Sequence, residues 1–148
     1  MKKKIFIFLF DGYSDWEIAY LTPEIHKSEH FEVVYFSKDG NPVTSMGGLK
    51  ITPTMSLPEV NIRNLHLLVL PGGEAWDRGE NTEVENLVKS CSEKRKPIAA
   101  ICAATGWVCF SARYLGLSPF QLALSLLKRR RAPASLFRAA PAGRWRRR

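Results

Sequence analysis

Apolar residues in this chain come in short unbroken runs, separated by polar and amphipathic stretches. Lys4 to Phe10 (KIFIFLF), Phe31 to Ser37 (FEVVYFS), Leu65 to Leu70 and Pro97 to Ile101 are the four runs. Strands show this pattern when helices cover both faces of their sheet, as in a parallel sheet. Asp11-Gly12-Tyr13 turns the chain after the first run, and Ser14-Asp15-Trp16-Glu17 opens a helix expected to reach about Ser28. Thr22-Pro23 either kinks that helix or caps a second segment, because proline removes an internal hydrogen bond. The second run ends in the turn Asp39-Gly40-Asn41-Pro42, and Gly47-Gly48 predicts a small hairpin over 43–52. Residues 55–64 read as a loop or a short helical turn. Thr82 is expected to cap a helix that ends at Lys94-Arg95-Lys96, whose cations suit its negative pole. This alternation predicts a doubly wound, mostly parallel α/β sheet.

The fourth run leads straight into Cys102-Ala103-Ala104-Thr105-Gly106, where small residues suit the start of a helix. A strand followed at once by a helix leaves one residue at the corner, often strained, with its side chain out over the sheet end. A thiol there faces the N–H groups and positive end of the helix, a setting suited to negative sulfur. The competing reading is a buried structural thiol, since free cysteine is among the most buried residue types.

In doubly wound sheets, ligands bind outside the carboxyl ends of the strands. Glu17, Gly72-Gly73 and Cys102 all fall at such ends, which favours a site over three unrelated accidents. A nucleophilic thiol needs a group to set its protonation and donors to hold the oxyanion formed on attack. Glu17, hydrogen-bonded to the Cys102 sulfur, would supply the first, and the backbone N–H groups of Gly73 and Ala103 the second. Two plainer readings stand beside these. Ser14 to Glu17 has the spacing of a capping box, and Gly72-Gly73 serves equally as a turn.

Composition adds one refinement. Hydrophobic content of 45% and charged content of 24% over 148 residues fit one globular domain. No run approaches the ~20 apolar residues of a membrane span. Lys2-Lys3-Lys4 and the six apolar residues behind them read as a first strand, not a leader. Cys91, Cys102 and Cys109 form no CxxC pair, so neither a disulfide framework nor a metal site is expected, and a cytoplasmic setting fits best. His26 and His30, four apart on a helix, have metal-ligand spacing but no third ligand. The net charge of +8 divides unevenly. Residues 1–109 hold 12 Lys+Arg against 14 Asp+Glu, whereas residues 110–148 hold nine Arg, one Lys and no acid. We therefore expect an α/β domain over 1–109 and a basic Arg/Ala/Pro-rich tail over 110–148, partly helical or disordered. The abrupt change suggests a shifted reading frame or a foreign end shortly after Cys109.

Asp11-Gly12 with Asp15-Trp16-Glu17, then Leu70-Pro71-Gly72-Gly73, then Ala99 to Ala104 together resemble the PfpI-like superfamily over about residues 2–109. That group includes intracellular protease/amidases, the Parkinsonism-associated deglycase and class I glutamine amidotransferase-like proteins. The resemblance implies a flavodoxin-like sheet, here truncated after the elbow helix, usually in a homodimer, and no cofactor. It implies Cys102 as elbow nucleophile, Glu17 as its carboxyl partner and an oxyanion hole from Gly73 and Ala103. Implied activities are amide or peptide hydrolysis, glyoxalase or deglycase action on dicarbonyl adducts, and thiol-based stress sensing. The family's usual histidine after the elbow cysteine is missing, since His26, His30 and His66 all precede Cys102. A non-enzymatic thiol sensor is therefore the alternative expectation. Nucleic-acid binding through the basic tail is a second and weaker one.

Overall fold

A computed structural model describes residues 2–114, with side-chain surroundings through Val108; the expectations for the basic tail beyond Tyr114 lie outside these residues. Strand β1 (Lys3–Phe8) is central, because its side chains from Ile5 onward are buried on both faces. Strand β2 (Phe31–Ser37) pairs parallel to one side of it, and β6 (Leu65–Leu70) pairs parallel to the other. Strand β7 (Ile98–Ala100) continues the sheet beyond β6, and β5 (Met55–Ser56) caps the upper part of β2. The order is β5-β2-β1-β6-β7, all parallel, the doubly wound α/β arrangement expected from the apolar runs.

Phe6, Phe8, Phe10, Phe36 and Trp76 pack edge-on and tilted, with ring centroids 5.3–6.3 Å apart. Large rings filling the space above a parallel sheet bury much area per residue, which a domain of this size needs. The hairpin over 43–52 forms as expected, with β3 (Val43–Thr44) antiparallel to β4 (Lys50–Ile51).

The helices depart from expectation in detail. The stretch opened by Ser14 is two segments, α1 (Asp15–Ile18) and α2 (Leu21–Lys27), with Pro23 in the first turn of the second. Proline is tolerated there because first-turn N–H groups have no intrahelical partner. Thr82 makes no side-chain cap; it begins a 3-10 turn (Thr82–Val84) ahead of α4 (Glu85–Glu93). Helix α3 (Glu74–Asp77) and strand β5 are additions that the sequence pattern did not mark. Both are too short to carry a period. Helix α5 (Ala103–Tyr114) follows β7 as expected and runs across the proposed boundary at residue 109.

Candidate functional site

Ile101 and Cys102 join β7 to α5, and Cys102, at the corner, is exposed with φ +52°. A non-glycine residue in that left-handed region stores on the order of 1–3 kcal/mol of strain. Its surroundings over-determine it. Ile101 N–H donates to Leu70 O at 3.0 Å, tying the corner to β6. On the far side, Thr105 N–H donates to Cys102 O at 2.9 Å and Thr105 Oγ1 to Ala100 O at 3.0 Å. Trp107 on α5 stacks on Trp76 of α3 at 4.9 Å, and Trp76 Nε1 donates to Pro71 O at 2.8 Å. The strand end at 71–73 and the start of α5 are thus held to each other through two tryptophans.

Glu17 reaches this corner from α1. Its Oε2 accepts the Gly72 N–H at 2.6 Å, a short charge-assisted bond. The capping box expected of Ser14 and Glu17 does not form; Ser14 Oγ instead donates to Met46 Sδ at 3.7 Å. The true capping box is Ser56 with Glu59, where the Ser56 hydroxyl and N–H hold the Glu59 carboxyl below its usual range. A hydrogen bond between Glu17 and the Cys102 sulfur is not among those the described residues make.

What places Glu17 beside Cys102 is the missing side chain at Gly72. A Cβ there would lie 2.7 Å from Glu17 Oε1 and 3.0 Å from Cys102 Cβ. Gly73 is constrained differently. Its φ is +151°, and a Cβ would meet Gly12 O and the Phe10 ring, both at 2.7 Å. Among the described residues, the N–H groups of Gly73 and Ala103 donate to no protein acceptor. Gly73 belongs to the strand end after β6, and Ala103 follows Cys102 at the start of α5.

The loop before α1 is clamped by the β3–β4 hairpin. Asp11 Oδ1 accepts the Thr44 N–H at 2.7 Å and Asp15 Oδ1 accepts the Gly47 N–H at 3.0 Å. Backbone bonds Gly12 N–H to Thr44 O and Met46 N–H to Tyr13 O complete the clamp. Neither Asp11 nor Asp15 nor the hairpin is marked as part of the site by the sequence pattern. Two carboxylates, Asp11 and Asp15, on either side of the Gly12 turn were the available signal.

The remaining candidates lie elsewhere. Cys91 is fully buried on α4, and burial pushes its thiol up to about 11. The three histidines sit at the opposite end of the sheet, where its strands begin. His30 O accepts from Lys3 at the start of β1, His66 lies at the start of β6, and His26 borders a cleft with Lys2 and Phe31. A strand of six residues separates that end from Cys102, roughly 20 Å. No group of three potential metal ligands occurs among the described residues, and no helix among them is long and apolar enough to cross a membrane.

A profile of the DJ-1/PfpI family matches residues 3–118. An uncharacterized protease of Bacillus subtilis, YdeA, is 37% identical over 108 residues, 73% of this chain and 53% of its own. The deglycase TK1284 of Thermococcus kodakarensis is 32% identical over 100 residues, 67% of this chain and 60% of its own. Among solved structures, the DJ-1 superfamily protein Atu0886 from Agrobacterium tumefaciens superposes with a TM-score of 0.70 at 35% identity, covering 76% of this chain and 60% of that one. The chain spans about half the length of the curated relatives it matches.

Proposed function

This chain belongs to the DJ-1/PfpI family, and from that premise we propose a cysteine-dependent hydrolase or deglycase chemistry centred on Cys102. The observation that carries the proposal is the exposed, strained Cys102 corner with the Glu17 carboxylate held against it through Gly72. In this reading the Cys102 sulfur adds to an amide carbonyl carbon, the C–N bond breaks and the amine leaves with a proton. Water then cleaves the resulting thioester to free the acid and the thiol. With a dicarbonyl the sulfur adds to give a hemithioacetal, the thiol proton passing to the new oxygen. The Gly73 and Ala103 N–H groups receive the oxygen that becomes negative. Glu17 sets the proton balance of the sulfur and of the departing group. Relatives named as a protease and as deglycases support this substrate range. Trp16 and Tyr20 on and beside α1, with Met46 and Leu49 on the hairpin, are exposed large apolar residues near Glu17. They support a homodimer through this face. The free thiols Cys91 and Cys102 support a reducing, cytoplasmic setting.

The test is alkylation by iodoacetamide at pH 6, read by mass spectrometry. Cys102 should react about tenfold faster than Cys91 and Cys109. Equal rates at the three thiols would refute the activated corner.

A second reading rests on one observation: every histidine lies at the far end of the sheet. Without a nearby imidazole, Cys102 beside Glu17 suits oxidation to a sulfinate, and the protein would then report peroxide. Mild peroxide should oxidise Cys102 first. Oxidation confined to Cys91 or Cys109 excludes the sensor. Binding of nucleic acid by the basic tail is a third and weaker proposal, and deletion of residues 115–148 tests it.

A further inference from the structure

The end of the sheet opposite Cys102, where β1, β6 and β7 begin, gathers positive charge from three separate parts of the chain. Lys2, Lys3 and Lys4 enter β1, Arg63 precedes β6, and Lys96 precedes β7; with His66 they line one open cleft of about 430 Å³. No carboxylate lines it. The nearest compensation is Glu32, paired with Lys4 at 3.5 Å. Lys2 Nζ donates to Ser28 O and Lys96 Nζ to Arg63 O. Lys3 and the Arg63 guanidinium make no ion pair among the described residues.

Helix poles explain only part of this. Lys94 to Lys96 follow the C-terminus of α4, where cations are favourable. Lys2 to Lys4 and Arg63 follow no helix, yet the parallel order of β1, β6 and β7 brings them to the same end. Residues 1–109 carry a slight acidic excess overall, so the clustering is local and not a reflection of a basic domain. The His66 ring lies 5.7 Å from Phe31 and forms one wall. Burial, and then the charges of Lys3 and Lys96, hold its imidazole below the usual value.

We propose that this cleft binds phosphate-bearing anions, its cations supplying converging charged donors around Arg63 and Lys3. Phosphate fits better than carboxylate, because its several oxygens accept from many donors at once and its double charge answers a cluster of cations. A cleft of 430 Å³ also has room for an organic group on the phosphate. The chain's own residues 110–148 are excluded as occupant, because they hold ten cations and no acidic side chain.

The experiment follows the His66 imidazole resonance by NMR in the full chain while inorganic pyrophosphate is added, with sodium chloride holding ionic strength constant. His66 reads the cleft itself, whatever the cations of the tail bind. The resonance should move along a saturable curve in about the millimolar range. Arg63→Gln, at an exposed position, and Lys96→Gln, at a half-buried one, should each weaken the response about threefold or more. A single-stranded DNA oligomer distinguishes the source. Saturation at a lower phosphate concentration assigns the site to a nucleic-acid backbone, and saturation at a higher one assigns it to a small ester. The proposal is overturned if His66 does not move, moves equally with chloride alone, or moves undiminished in both variants.

Discussion

Adding one methyl group at Gly72 should separate Glu17 from Cys102, and the structure sets the size of the effect. The φ of Gly72 lies outside the left-handed region, so alanine is conformationally permitted and the perturbation is steric. The new Cβ would stand 2.7 and 3.0 Å from the two Glu17 oxygens and 3.0 Å from Cys102 Cβ. The carboxylate is the end of a flexible side chain and can leave; the Cys102 Cβ belongs to a strained corner and cannot. Expelling Glu17 breaks its bond to the Gly72 N–H, worth on the order of 1–2 kcal/mol for a half-buried charge-assisted pair. Crowding against Cys102 adds about 1 kcal/mol. Gly72→Ala should therefore destabilise by about 2–3 kcal/mol, and Glu17→Ala by about 1–2 kcal/mol. Together they must not add. The bond can be lost only once and the carboxylate clash is gone, so the double variant should be about 1–2 kcal/mol more stable than the sum predicts. Urea unfolding followed by tryptophan fluorescence, with m unchanged across the four proteins, measures this. Additivity within about 0.5 kcal/mol would refute the claim that Gly72 is the gap through which Glu17 reaches the thiol.

Gly73→Ala should be far worse than Gly72→Ala. Its φ of +151° disfavours any side chain, and the obstructing atoms are the Gly12 carbonyl and the packed Phe10 ring. A loss of about 3 kcal/mol or more is expected, seen as a collapse in melting temperature or in yield of folded protein. Cys91 makes stability fall in alkali. Its folded value near 11 exceeds the unfolded value near 9, so the folded state holds the proton longer. The stabilisation is complete below pH 9 and is lost as pH rises through 11, amounting to about 2–3 kcal/mol. Cys91→Ala should flatten the stability curve between pH 9 and 11, although its cavity lowers the whole curve. Asp11→Ala should free the hairpin, with Thr44 and Gly47 amides exchanging about tenfold faster while those of β1 and β6 stay protected. Unchanged exchange at Thr44 would remove the clamp from the account.

The strands were readable because parallel strands buried on both faces declare themselves as apolar runs, and Phe31 to Ser37 carries its boundaries in its residues. Cys102 was readable as a corner because nothing but one residue separates Ile101 from the alanines that start α5. Glu17 was harder. Its spacing from Ser14 fits a cap as well as a site, and only three-dimensional placement sends the carboxylate to Gly72. The two glycines were legible as a pair but not as individuals, since one is needed for a close approach and the other for its backbone angle. Trp76 and Trp107 were not legible at all, because contacts between helices 31 residues apart leave no local pattern. The hairpin clamp was missed for the same reason: Asp11 and Thr44 are joined by 33 residues of chain.

The strand order carries a consequence for how the protein is made. Strand β1 is the centre of the described sheet, and one of its neighbours, β6, lies some sixty residues later in the chain. Until Leu65 to Leu70 emerges, one edge of β1 has no partner, and closing so long a loop is slow. Glu17 is present early, Gly72 arrives midway, and the thiol follows only with β7. Among the described residues the site is completed by β7, so a nascent chain released before β7 pairs would display an unsatisfied β6 edge and no assembled thiol–carboxylate pair.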